Sequence, residues 1–161
     1  MKAFILCFMV ACSGYSHAQQ ICHSQLTKKT PDARYQANGN EIKDAQTNLI
    51  WQRCSIGQTW NGSTCTGLEK PETWENALQA AKKQVGWRLP NIKELKSLVE
   101  TACFDPAINS NMFKGVSSTS YWSSSTAADD ALNAWTVQFD DGIAGHIRKT
   151  DNAVIRLVRN P

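Results

Sequence analysis

The chain reads as an α+β domain: two helices packed on a small twisted antiparallel sheet with long loops, held by disulfides. Three observations carry this reading. Strand-like alternation flanks two stretches of helical period, in the order hairpin, two helices, then short strands. The later strands are separated by loops rich in Asn, Ser, Gly and Thr. Four cysteines beyond residue 18 and six tryptophans supply staples and bulk to a chain with only modest Leu, Ile and Val content.

The first 18 residues do not belong to that domain. Lys2 forms a short positive region, Ala3 to Ala11 an apolar run, and Ser16-His17-Ala18 a small-x-small cleavage site. This is the pattern of a secretory signal peptide, too short to span a bilayer. Cleavage after Ala18 leaves Gln19 as the first residue. A lipoprotein is the rival reading, because Met9-Val10-Ala11-Cys12 loosely resembles a lipobox, with Met9 where Leu is usual. No other run has the length and apolarity of a membrane helix. The expected location is therefore the periplasm, the medium or the cell surface.

Removing Lys2 leaves 16 basic against 14 acidic residues, from 17 and 14 in the whole chain. So small an excess excludes a dedicated nucleic-acid binder. Cys7 and Cys12 leave with the signal, and Cys22, Cys54, Cys65 and Cys103 stay. An even number in an exported chain reads as two disulfides, with three pairings open. Gly57, Asn61-Gly62 and Gly67 make a compact loop that favours Cys54–Cys65, leaving Cys22–Cys103. A metal site is disfavoured, because Cys-x-x-Cys spacing is absent and only His23 and His146 accompany the four thiols.

Residues 19–37 are polar and read as an extended N-terminal arm, with the domain at 38–161. Asn38-Gly39-Asn40 has turn chemistry, Glu41-Ile42-Lys43 is a short strand, and Leu49 to Arg53 is its partner, Leu49 and Trp51 facing one way. Cys54 to Lys70 reads as irregular loop, with Asn61-Gly62-Ser63 as a turn. Thr73 caps a first helix whose stripe is Trp74, Ala77, Leu78, Ala81 and Val85, and Gly86 ends it. Lys82 and Lys83 fall late in that helix, where they complement its dipole.

Trp87-Arg88-Leu89-Pro90 leads into a second helix. Pro90 biases Leu89 to an extended conformation. Asn91 and Glu94 stand at the two positions of a capping box, and Ile92, Leu95, Leu98, Val99 and Ala102 form the apolar stripe. Trp87 and Leu89 are expected in the core, and Arg88 is expected to bond within the protein. Residues 109–120 read as loop and Tyr121 to Ser125 as a short strand. Trp135, Val137 and Phe139 alternate ahead of an Asp141-Gly142 turn, Ile143 to Ile147 returns, and Val154 to Val158 is the last strand.

Several of these runs together carry a resemblance. Asn48-Leu49-Ile50-Trp51-Gln52-Arg53, Trp87-Arg88-Leu89-Pro90 with Glu94-Leu95, Tyr121-Trp122-Ser123-Ser124-Ser125, Ala134-Trp135-Thr136-Val137 and Ile155-Arg156-Leu157-Val158-Arg159 follow in order over roughly residues 40–159. In this order they resemble the DUF1566 family, the domain at the C-terminus of the Legionella collagen-like adhesin. The chain departs from the pattern at Asn48, where Gly is usual. The resemblance implies a C-type-lectin-like, or formylglycine-generating-enzyme-like, fold. It also implies binding of sulfated or otherwise anionic polysaccharide. The chain carries no collagen-like Gly-x-y repeat that would trimerise it.

No residues in the sequence call for catalysis. One of Ser123 to Ser125 with His146 and Asp140 or Asp141 can be written as a triad, but no nucleophile elbow orients it. Asp129-Asp130 and Asp140-Asp141 are the acidic pairs of the late loops, and Asp141-Gly142 is already explained as a turn. The copper chemistry of the formylglycine-generating oxidase needs a free cysteine pair, which this chain lacks. The expectation is a non-enzymatic binding module without cofactor or metal. Its ligand-binding residues are taken to be Lys93 and Lys96 on the second helix with Arg148 and Lys149 after the returning strand. If the two pairs converge, they form an anion-binding patch. The alternative is a protein partner met through exposed aromatics, Trp60 first. Mass spectrometry of the mature protein is expected to find Gln19 at the N-terminus; a lipid on Cys12 would support the lipoprotein instead.

Overall fold

The computed structural model describes residues 20–161. The signal segment and the Cys12 lipid site lie outside the described residues. In chain order the strands are Ile21–Cys22 (β1), Tyr35–Asn38 (β2), Glu41–Asp44 (β3), Leu49–Gln52 (β4), Thr59–Trp60 (β5) and Cys65–Thr66 (β6). After the helices Trp74–Lys82 (α1) and Ile92–Lys96 (α2) come Cys103–Phe104 (β7), Ser120–Thr126 (β8), Asn133–Gln138 (β9), Ala144–Arg148 (β10) and Val158–Arg159 (β11). The result is a small α+β fold in which every strand pair is antiparallel.

Two sheets replace the single sheet expected. One has the order β11-β4-β3-β2 and the other β10-β9-β8, while β1-β7 and β5-β6 are two-stranded ribbons. Alternation in β4 places Leu49 and Trp51 in the core, where Ile42 stands opposite Trp51. On β8, Tyr121 and Trp122 point to opposite faces, as neighbours in a strand must. Tyr121 joins a cluster with Trp51, Leu95, Leu98 and Phe139. Trp122 joins Ala77, Ala81, Leu89 and Ile155. The three-stranded sheet therefore has core on both sides.

The last stretch binds the sheets together. Residues 153–158 are all buried. The N–H of Val154 donates to Ser120 O at 2.9 Å, and Val154 O accepts from Trp122 N at 2.9 Å. Further on, Ile155 O and Leu157 O accept from Ile56 N and Gln52 N at 2.9 and 3.0 Å. A segment that divides its bonds between two neighbours makes no ladder. That is why only Val158 of the expected strand pairs regularly with β4, in a short strand that runs on to Arg159.

Both helices are shorter than their apolar stripes. Thr73 caps α1 by accepting from Asn76 N, but the helix ends at Lys82. Val85 lies beyond it and is 97% exposed, so it does not belong to the buried stripe. The Asn91–Glu94 capping box of α2 forms as expected. After Lys96, Leu98 N and Val99 N reach back three residues, to Leu95 O and Lys96 O, a tightened final turn. The chain then turns away because Glu100 is drawn to other donors. Its buried carboxylate accepts from Lys29 N, Thr30 N, Thr30 Oγ1 and Ala102 N at 2.7–3.1 Å. Leu98 and Ala102 still reach the core, from this turn rather than from a helix.

The N-terminal arm is likewise part of the domain. Thr30 is buried against Glu100, β2 begins at Tyr35 inside the expected arm, and Cys22 is bonded to Cys103 with Cα atoms 4.0 Å apart. The second disulfide, Cys54–Cys65, closes the loop that carries β5 and β6. Trp87 is a correction: it is half-buried, with the Arg159 guanidinium carbon 5.4 Å from its ring centroid, while Leu89 is buried as expected.

Arg156 is the largest charge taken inside, at 0% exposure. Its Nη1 donates to Gln52 O at 2.8 Å and to Arg53 O, and Nη2 donates to Ser55 Oγ at 3.2 Å. Burial pushes its pKa below the ordinary arginine value. Arg156→Ala would leave buried carbonyls without a donor and open a cavity. It is expected to cost about 3–5 kcal/mol of unfolding free energy, read from urea denaturation followed by circular dichroism.

Candidate functional site

The serines of β8 are committed to the fold. Ser123 Oγ donates to Trp135 O at 2.8 Å, Ser124 Oγ to Pro90 O at 3.2 Å, and Ser125 Oγ accepts from Ile92 N at 3.1 Å. His146 stands edge-on to Trp135 on the next strands, with Nδ1 3.2 Å from Asn133 Nδ2 and Nε2 4.0 Å from Asp129. These contacts give the imidazole no serine neighbour. Asp130 caps its own loop, accepting from Leu132 N and Asn133 Nδ2. Asp141 Oδ1 accepts from Ile143 N in the hairpin turn, where Gly142 has φ +80°. A Cβ on Gly142 would lie 2.4 Å from Val99 Cγ1, so the turn also needs glycine for its packing.

Arg88 bonds within the protein. Its Nη1 and Nη2 grip Glu94 at 2.7 and 2.8 Å, and Nη2 also donates to Asn160 Oδ1. Glu94 thus serves the capping box and the guanidinium together. The same fork recurs at Arg34, whose Nε donates to Asp44 Oδ1 at 2.7 Å. Both partners of that second pair are buried. Neither arginine is free to meet a ligand with its full charge.

The four sequence-selected cations are divided by the structure. Lys96 lines a concavity of about 760 Å³ with Lys29, Arg34, Gln46, Thr47 and Thr101. Lys93 precedes it by three residues on α2, which puts the two exposed ammoniums on neighbouring turns. Lys149 lines a different concavity, of about 720 Å³, beside α1 with Trp74, Leu78 and Lys82. There its Nζ lies 4.6 Å from the Trp74 ring centroid and donates to Ala131 O at 2.7 Å. Arg148 is exposed at the end of β10. Among the described residues, Lys29, Lys93, Lys96 and Arg148 make no salt bridge. Sequence reasoning missed Lys29, because the arm that carries it is brought to α2 by long-range contacts, among them its bonds to Glu100 and the Cys22–Cys103 bond. Trp60 is half-buried, with the Arg53 guanidinium carbon 4.1 Å from its ring centroid.

Three carboxyls around the basic concavity and its helix ionise more readily than usual. At Asp44 burial opposes the charge, but bonds from Arg34, Thr47 and Gln46 N outweigh it and lower the pKa. At Glu94 the bonds from Arg88 lead and win over partial burial. At Glu100 burial is again outweighed, here by the N–H groups of Ala102, Thr30 and Lys29. Each folded value lies below the ordinary 3.8 or 4.5, so the unfolded chain binds more protons in acid. Their stabilisation is complete above those ordinary values and is lost as pH falls through the depressed ones. Thermal melts are expected to hold steady down to about pH 5 and then drop, with the acid limb shallower in Glu94→Gln.

The disulfides suggest an extracellular or periplasmic environment. Among the described residues no helix is long and apolar enough to cross a membrane. A search of curated proteins returned no match. A family model described as the Lcl C-terminal domain matches residues 40–159, the span over which the ordered motifs resemble the Legionella collagen-like adhesin domain. With most of its length matched, the chain belongs to the Lcl C-terminal domain family.

Proposed function

We propose that the protein is a non-enzymatic binding module that acts outside the cytoplasm and holds anionic, above all sulfated, glycans. The observation that carries this reading is the basic concavity. Two exposed ammoniums, Lys29 and Lys96, share it with the hydroxyl and amide side chains of Gln46, Thr47 and Thr101. Arg34 adds charge from beneath, although Asp44 neutralises much of it. Lys93 extends the positive surface along α2. Such an open, cationic and polar face suits a flexible polyanion better than a small apolar ligand. Family membership supports a binding module of the adhesin kind. We also read the fold as C-type-lectin-like. Two short helices, antiparallel sheets, long loops and two disulfides support that reading.

A second reading, a protein partner, is favoured by one apolar patch. Ile21 and Phe104 are register partners on the β1–β7 ribbon and are 52% and 38% exposed, with Leu26 nearby in sequence at 54%. The two readings separate by titration with heparin and with a neutral glycan at low and at physiological salt. Heparin is expected to bind at low salt and weaken steeply as salt rises, while the neutral glycan does not bind. Lys29→Glu with Lys96→Glu should weaken heparin by about tenfold or more with an unchanged melting temperature, because both side chains are exposed. Absence of heparin binding at low salt would retire the glycan reading and leave the apolar patch as the site to pursue.

A further inference from the structure

The groove beside α1 combines apolar surface, from Trp74 and Leu78, with a cation held in place. Glu75, Leu78, Gln79 and Lys82 recur at helical spacing and form one wall; Lys149 and Thr150 form the other. Trp74 lies in the floor with both its ring and its backbone anchored. Its indole Nε1 donates to Ser123 O at 2.8 Å, and its backbone N–H donates to Lys149 O at 3.0 Å. With the ring N–H spent on the backbone, the indole offers the groove only carbon surface.

The cation above it is equally placed. Lys149 Nζ stands 4.6 Å from the indole centroid and gives one of its three N–H bonds to Ala131 O. Two donors are left, and Lys82 brings a second ammonium that makes no salt bridge among the described residues. Glu75 and Gln79 add an acceptor and an amide on the same wall.

A ligand that uses all of this needs a flat face of C–H groups, a carboxylate at one edge and several hydroxyls. A neutral sugar would leave the ammonium unanswered, and a small inorganic anion would leave the indole uncovered. We propose that the Trp74–Lys149 groove is a binding site for a uronic-acid residue. The pyranose C–H face packs on Leu78 and on the part of the Trp74 indole that the Lys149 ammonium leaves open, the carboxylate meets Lys149 and Lys82, and the ring hydroxyls bond Glu75 and Gln79. The site uses none of the residues of the basic concavity and recognises a carboxylated ring rather than sulfate density.

The test uses the purified, disulfide-bonded protein and an unsulfated hyaluronan tetrasaccharide, which alternates glucuronate with N-acetylglucosamine. Calorimetry and the indole N–H signals of a ¹⁵N-labelled sample are the two readouts. The tetrasaccharide is expected to bind and to shift the Trp74 indole signal. Its carboxyl-reduced form and the Lys149→Gln variant should each weaken binding about fivefold or more. Trp74→Leu should do the same if it folds; Leu78→Ser probes the apolar part of the wall without touching the ring. Lys29→Glu with Lys96→Glu should leave the tetrasaccharide unaffected while weakening heparin, so failure of either site is seen separately. The proposal is overturned if carboxyl reduction or Lys149→Gln changes nothing, if the Trp74 signal does not move, or if an acidic peptide binds there and the sugar does not.

Discussion

A guanidinium with no exposure to water stands where the two sheets meet. Arg156 lies on the segment that both sheets share, with its charged carbon 5.2 Å from the Phe113 ring centroid and 5.8 Å from that of Tyr121. Taking it out of water is costly, and its recovery comes from the carbonyls at the end of β4, from Ser55 and from two aromatic faces. The balancing carboxylate is not in direct contact. Glu69 accepts from Ser55 Oγ at 2.8 Å and from Tyr121 Oη at 2.7 Å, and also from Ser117 Oγ. One buried charge therefore orders the end of β4, the segment after Cys65 that bears Glu69 and the long loop before β8.

That arrangement explains how so much irregular chain is held in place. Residues 105–119 contain no strand or helix, yet Phe113 is buried in the core and Asn109 bonds Thr30 O and Asp32 through its amide. Glu100 does for the N-terminal arm what Arg156 does for the loops: it gathers orphan N–H groups onto one buried charge. The Cys22–Cys103 bond lies beside that knot and ties the arm to the chain just after it. Polar and covalent anchors substitute here for regular secondary structure. The two concavities lie beside the helices: Trp74 and Leu78 of one also pack against the core, and Lys96 of the other is exposed.

Functionally, the two concavities differ in what they can hold. The basic one offers separated ammoniums and hydroxyls on an open surface, suited to charge without defined shape. The one beside α1 offers a ring held by its own N–H bond to Ser123 O and an ammonium placed over it, suited to a defined ring with one charge. Arg88, expected from the sequence to bond within the protein, is spent on Glu94, and Arg34 on Asp44.

What could be read from the sequence is what neighbours in the chain decide. The capping box of Asn91 and Glu94, the Thr73 cap, the β3–β4 pair and the Asp141-Gly142 turn all depend on groups within a few residues of each other. Alternation placed Trp51, Val137 and Phe139 in the core for the same reason. The ordered motifs were enough to point to the family. Tertiary structure alone decided where the second helix stops, since Glu100 is turned by donors from the distant arm. It decided that the last segment serves two sheets and makes a ladder with neither over most of its length. It also decided which lysines share a surface, placing Lys96 with Lys29 and Lys149 with Trp74. Periodicity reports which way a side chain faces within its own element. Which distant element it meets depends on long-range bonds to buried charges, and these leave no periodic trace in the sequence.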